Sequence, residues 1–234
     1  MNNNSEFDVV NLLLNINDSL SYEAICRWTK YQKKQYVKLL NHFALVNKDI
    51  ECSNSTKEKG DALEKLVAFL IDNCGRIFEV DRDVRTGTNE IDAIMKLTPA
   101  GKILCKDGII SPKYENFISE CKNYKAAVNV TYVGKFCSLM LTTGCKLGIM
   151  FSYKGVTGTK WNAASGLIKK FYMSKENLSD RYCLIDFNYN DFNKVKDGDN
   201  LLNIIDKKIK DLQFDTDYSK RLTEHPAANK LIVD

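Results

Sequence analysis

Histidine is nearly absent. The 234 residues hold two, His42 and His225, and none of the eight cysteines forms a C-x-x-C pair. A structural zinc site needs four closely spaced nitrogen or sulfur ligands, so none is expected. The cysteines stand at 26, 52, 74, 105, 121, 137, 145 and 183, several of them in apolar runs such as FLIDNC and YCLI. They read as small buried hydrophobes of a reducing cytoplasm, not as a disulfide framework. Long apolar runs are missing too. None approaches the roughly 20 residues of a membrane helix, so no membrane partner is expected. MNNNSEFD has neither a basic n-region nor an apolar h-region, so no signal peptide is expected. Charge of one sign is scarce: a formal +4 permits a nucleic-acid partner without demanding one. There is no internal repeat and no low-complexity segment. What remains, 44% hydrophobic and 27% charged, is the composition of an ordinary globular chain. Its length suits one full domain, or one domain with a small appendage.

The first fifty residues read as helical. FDVVNLLLNI carries a helix-like apolar face, and Asp18 or Ser19 is placed to cap a second helix over SYEAICRWT. In QKKQYVKLLNHFALV, Val37, Leu40, Phe43 and Ala44 recur at helical spacing. This segment is either a helical cap on the main domain or a helix-turn-helix. The basic pair Lys33 and Lys34 keeps the second option open. The polar ECSNSTKEKG sets a boundary near residue 53, giving a helical module over 1–52 and a main domain over 53–234. Ser55 and Glu58 fit a capping box for a helix running to about Asn73, with Gly75 as its stop. Ile77–Val80 with Val84 and then Ile91–Leu97 read as strands around a TGTNE turn. TPAGKILCKDGIISPKYEN reads as an enlarged hairpin or insertion, and FISECKN as a third strand. VTYVGKFCSLMLTTG is a helix, and KLGIMFSYKG a strand apolar along its length, hence central and parallel. TKWNAASGLIKKFYMS is a helix, YCLIDFN a strand and NLLNIIDKKIKDLQ a last amphipathic helix, with a patternless tail from Phe214. This order is an α/β arrangement in which a meander enters a sheet whose later strands alternate with helices.

FISECKN poses the chemical question. Its apolar start suits a buried strand, yet Glu120 and Lys122 follow two residues apart. Buried charges are costly unless paired or metal-bound. Residues i and i+2 of a strand share a face, roughly 6–7 Å apart, while Cys121 points the other way. Asp92 follows Ile91 on a neighbouring strand, and Glu64 lies on the preceding helix between Gly60 and Ala68, small residues allowing close approach to the sheet. Mg²⁺ takes oxygen ligands and keeps several waters. Asp92 and Glu120 can hold such an ion, with the Cys121 backbone carbonyl as a third ligand and Glu64 on a metal-bound water or second ion. The ion polarises a phosphodiester and acidifies a bound water. Lys122 can orient that water and stabilise charge on the phosphate oxygens. An E-x-K pair alone is most often a surface ion pair. The ordered conjunction of acid on a helix, Ile-Asp after a turn, then Glu-Cys-Lys carries the chemical reading.

KGDALEKL, TGTNEIDAI, ISECKN and GIMFSYKGVTGTKWNAA together resemble the PD-(D/E)XK nuclease superfamily, closest to its Mrr-like restriction endonuclease branch. The resemblance spans about residues 57–172. It implies a restriction-endonuclease-like core, a central mixed sheet flanked by helices, beside the small N-terminal helical module. It places the helix acid at Glu64, the metal aspartate at Asp92 and the E-x-K pair at Glu120 and Lys122. The segment from Asp92 to Glu120 is longer than the family's tight hairpin. VNVTYVGKF lacks the branch's glutamine, with Asn129 or Lys135 near that place. The implied activity is cytoplasmic, Mg²⁺-dependent cleavage of double-stranded DNA in restriction, defence or repair, with Mn²⁺ able to substitute. Cutting both strands would suggest a homodimer, though no residue marks one. RNA or branched DNA as substrate, or a non-catalytic nucleic-acid-binding module, are the alternatives.

Lys125, Lys135, Lys154, Thr157, Thr159 and Lys160 can gather around the strand ends and bind phosphates, or form a solvated loop. Gly155 and Gly158 would let the backbone approach a phosphate. Trp161 reads as core rather than as a base-stacking platform.

Overall fold

A computed structural model of the chain describes residues 21–48, 55–85, 90–158 and 163–214. The expected helix over FDVVNLLLNI, the caps at Asp18 or Ser19, the boundary near residue 53, the TGTN of the turn, Thr159, Lys160, Trp161 and the tail beyond Phe214 lie outside those residues. In chain order the elements are α1 (Tyr22–Ile25), α2 (Lys30–Asn47), α3 (Thr56–Asp72), β1 (Phe78–Arg85), β2 (Glu90–Leu97), α4 (Pro99–Lys106) and β3 (Asn116–Cys121). Then come α5 (Val130–Thr143), β4 (Leu147–Phe151), α6 (Ala164–Met173), β5 (Cys183–Phe187), α7 (Tyr189–Lys196) and α8 (Leu201–Phe214).

The five strands form one sheet in chain order. β1, β2 and β3 pair antiparallel, and β3, β4 and β5 pair parallel. The described residues are thus an α/β protein with a mixed open sheet. Every residue of β4 is buried, because helices cover both faces. On one side Val133, Phe136 and Met140 of α5 and Ile168 of α6 close over Ile118, Met150 and Leu184. On the other, α2, α3, α7 and α8 share a cluster with Phe117, Ile149, Phe151 and Ile185. Each fully buried Leu, Ile or Phe there contributes about 1.5–3 kcal/mol.

Several local expectations are corrected. The segment between β2 and β3, read as an enlarged hairpin or insertion, joins two antiparallel neighbours and carries a helix that the sequence reading did not foresee. It holds α4, capped by Thr98 with Pro99 in its first turn, and a short 3₁₀ turn at Pro112–Tyr114. Helix α1 is only four residues long and is capped by Ser21, while Thr29 caps α2 through a capping box with Gln32. The buried stripe of α2 is Tyr36, Leu40, Phe43 and Val46. The Tyr36 hydroxyl donates to the Phe192 carbonyl at 2.9 Å, so this helix joins the same core as the sheet. An added Cβ on Gly60 would meet nothing within 4 Å, so no close approach requires that glycine.

Candidate active site

The antiparallel-to-parallel change at β3 leaves the end of that strand open on its β2 side. The β2–β3 ladder runs no further than Ala93 opposite Ser119. There the Cys121 N–H donates to Oδ2 of Asp92 at 2.7 Å, so a side chain takes over where the backbone ladder stops. On the other side Lys122 N–H donates to the Phe151 carbonyl at 2.8 Å, carrying the β3–β4 pairing one residue past the strand. Both bonds fix the backbone of Glu120–Lys122, and the Glu120 and Lys122 side chains meet in an ion pair. The two side chains are 15% and 26% exposed, which sets the pair apart from ordinary surface ion pairs.

The charge around it is unbalanced. Burial pulls the Lys122 ammonium down, but its hydrogen bond to Glu120 and the charges of Glu120, Asp92 and Tyr124 more than offset this, and its pKa ends raised. Glu64, exposed on α3, is also raised, first by partial desolvation and then by repulsion from Asp92, Asp61 and Asp83, with Lys122 opposing. Burial is the main reason the Cys121 thiol stays far above its usual range, and Asp92, Glu64 and Glu120 add to it. Glu64, Asp92, Glu120 and Lys122 therefore share one electrostatic neighbourhood in which acids outnumber bases.

Two nearby residues escaped the sequence reading. Asn123, next to Lys122, is buried, and its Nδ2 donates to the Lys59 carbonyl at 2.7 Å, tying the start of α3 to the end of β3. Asp83 sits in β1 between the pairs Arg82–Ala93 and Val84–Ile91, with a left-handed φ of 53°. Only its position in ECKN hinted at Asn123. Nothing local marked Asp83.

The lysine-bearing loops after β3 and β4 come together. Val128 N–H donates to the Gly155 carbonyl at 2.8 Å, and Thr157 N–H to the Val128 carbonyl at 2.8 Å, stapling the segment after β3 to the one after β4. Lys125, Lys135 and Lys154 are exposed, and the Lys135 ammonium lies 5.7 Å from the Tyr132 ring centre. Thr157 is committed to the fold, since its Oγ1 accepts from Ala164 N–H at 3.3 Å. The reason for Gly155 also differs from expectation. Its N–H donates to Ser152 Oγ, and a Cβ there would come within 2.9 Å of Asp186 Oδ2, so room for a carboxylate and a φ of 72° explain the glycine.

Among the described residues no three carboxylate, thiol or imidazole groups converge to hold a metal ion by themselves. Magnesium asks for less, usually one or two carboxylates with waters and substrate oxygens. Asp92 and Glu120, in a field short of positive charge, fit that smaller demand. Among the same residues no helix is long and apolar enough to cross a membrane.

The chain matches no protein-family model, no curated protein and no solved structure. The functional reading therefore rests on the site.

Proposed function

We propose that the protein is a metal-dependent endodeoxyribonuclease with a restriction-endonuclease-like core. One observation carries the reading: a sheltered Glu120–Lys122 pair stands beside Asp92, with the Glu64 pKa raised first by partial desolvation and then by the neighbouring acids. In this reading Asp92 and Glu120, with the Cys121 carbonyl, hold Mg²⁺, or Mn²⁺ in its place. The bound ion supplies a Lewis acid for the phosphodiester and acidifies a water.

The chain's own residues do the rest. Lys122 keeps its proton through the neutral range and presents a fixed positive charge where phosphate oxygens gain negative charge. Glu64 holds a proton more readily than an ordinary glutamate, which suits a group that hydrogen-bonds a water at the site. Asp92 also holds the end of β3 through Cys121 N–H, so the lysine and both acids keep one geometry. Lys125, Lys135 and Lys154, with Thr159 and Lys160, contact phosphates without reading bases, while Thr157 drops out of that set because its hydroxyl holds Ala164 N–H. Cutting both strands of a duplex with one such site would take two copies of the chain.

The test is cleavage of plasmid, single-stranded, junction and RNA substrates with Mg²⁺, by wild type and by the Asp92→Ala and Lys122→Ala variants. Duplex cleavage lost in both variants supports the proposal. Variants that cut as well as wild type would remove the site, and preference for RNA or junctions would change the substrate.

A further inference from the structure

Cys26 and Cys74 come from segments 48 positions apart, yet their sulfurs touch at 3.2 Å in the core. Three further contacts hold that geometry. Trp28 Nε1 donates to the Asn73 carbonyl at 2.8 Å, and Gln32 Nε2 donates to Asn73 Oδ1 at 2.6 Å. Gly75, at φ 62°, lies so close to α1 that a Cβ would stand 2.6 Å from the Ile25 carbonyl oxygen. The backbone on both sides of the thiol pair is therefore fixed by bonds that do not involve sulfur. Both cysteines line a cavity of about 230 Å³ with Trp28, Tyr36, Leu70 and Asn200, which has room for a molecule as small as a peroxide.

We propose that Cys26 and Cys74 form a reversible oxidation site that closes to a disulfide under peroxide and locks the segment entering α2 to the end of α3. Reaching bond length closes the sulfur gap by about 1.2 Å, within the reach of small side-chain rotations. Cys26 is 9% exposed against 2% for Cys74, so Cys26 is the sulfur that a peroxide meets first. Its sulfur attacks one peroxide oxygen, giving a sulfenic acid and water. Cys74 then attacks that sulfur, forming the disulfide and releasing a second water. Two thiols and one hydrogen peroxide thus become one disulfide and two waters. The site is independent of the nuclease reading.

The test uses the reduced full chain, treated with hydrogen peroxide and mapped without reductant. The expected result is a linked peptide pair containing Cys26 and Cys74, lighter by two hydrogens and reopened by dithiothreitol. The thermal midpoint should rise by about 5–10 °C on oxidation, and this rise should vanish in both Cys26→Ser and Cys74→Ser. Recovery of the two cysteines as free thiols, as sulfinic acids or in bonds to other cysteines overturns the proposal. So does a rise that survives in either variant.

Discussion

Two charge clusters sit at the same end of the sheet and are built on opposite principles. In the register Glu120 stands opposite Met150 and Met150 opposite Asp186, so one row of the sheet runs from the candidate site toward the other cluster. That second cluster is closed at its centre, Asp191. Asp191 is buried and bonded to Lys194 at 2.9 Å and Lys208 at 2.7 Å, and it completes the capping box of α7 with Asn188. Burial would raise it, but Lys208 first and then Lys194 outweigh this, and its pKa falls below the ordinary aspartate value. The candidate site is the reverse: Lys122 faces Glu120, Asp92 and Glu64, and Glu64 rises. A balanced buried network stabilises the fold. A cluster left short of positive charge is where a cation or a phosphate-bound metal has something to gain.

The largest expected effect lies in the open cluster. Asp92→Ala and Lys122→Ala should each lower cleavage by on the order of 10³-fold, with circular dichroism still reporting a folded α/β protein. Breaking the closed cluster should act on stability instead. Asp191→Ala strands Lys208 and removes a cap, and should cost about 3 kcal/mol in urea unfolding while leaving cleavage per folded molecule unchanged. If Asp191→Ala abolished cleavage without destabilising the chain, the contrast between the clusters would fail.

The two clusters should also respond to acid with opposite signs. Asp191 has a depressed folded pKa, so its stabilisation is full above the unfolded value of roughly 4 and is lost as pH falls through the folded value. Glu64 has a raised folded pKa, so its ionisation costs stability as pH rises through the carboxylate range. Stability against pH for Asp191→Asn should therefore be flatter than wild type at the acid end. The basic loops give a smaller effect. Lys125→Ala and Lys154→Ala should each weaken duplex binding several-fold and reduce the salt slope by about one, read by fluorescence anisotropy at several salt concentrations. Smallest of all, Glu64→Gln should stabilise the fold by only a few tenths of a kcal/mol at neutral pH, since the group is exposed and solvent screens it.

Much of this was legible where a pattern was local. The apolar run of β4, the capped helix α3 and the charges in FISECKN are signals within a few residues, and the structure places the first two in their expected elements and Glu120 in β3, with Lys122 one residue past the strand end. Helices α4 and α7 were not legible. Pro99 and Gly108 bracket the first so closely that its turn signals outweigh its apolar residues, and YNDFNKVK buries only Asp191, Phe192 and Val195. The site shows the same limit. Glu120, Lys122 and Asp92 announce themselves as charges beside apolar strands. Asp83, Asn123 and Asp186 gain meaning only through strand register and contacts distant in sequence, which composition and spacing do not encode.

The most direct test of the central claim is a crystal structure of the protein soaked in Mn²⁺, read from the metal's anomalous signal. The account expects a metal between Asp92 and Glu120, with the Glu120–Lys122 pair opened to admit it. A crystal with Mn²⁺ bound only elsewhere, and the Glu120–Lys122 pair still closed, would contradict it.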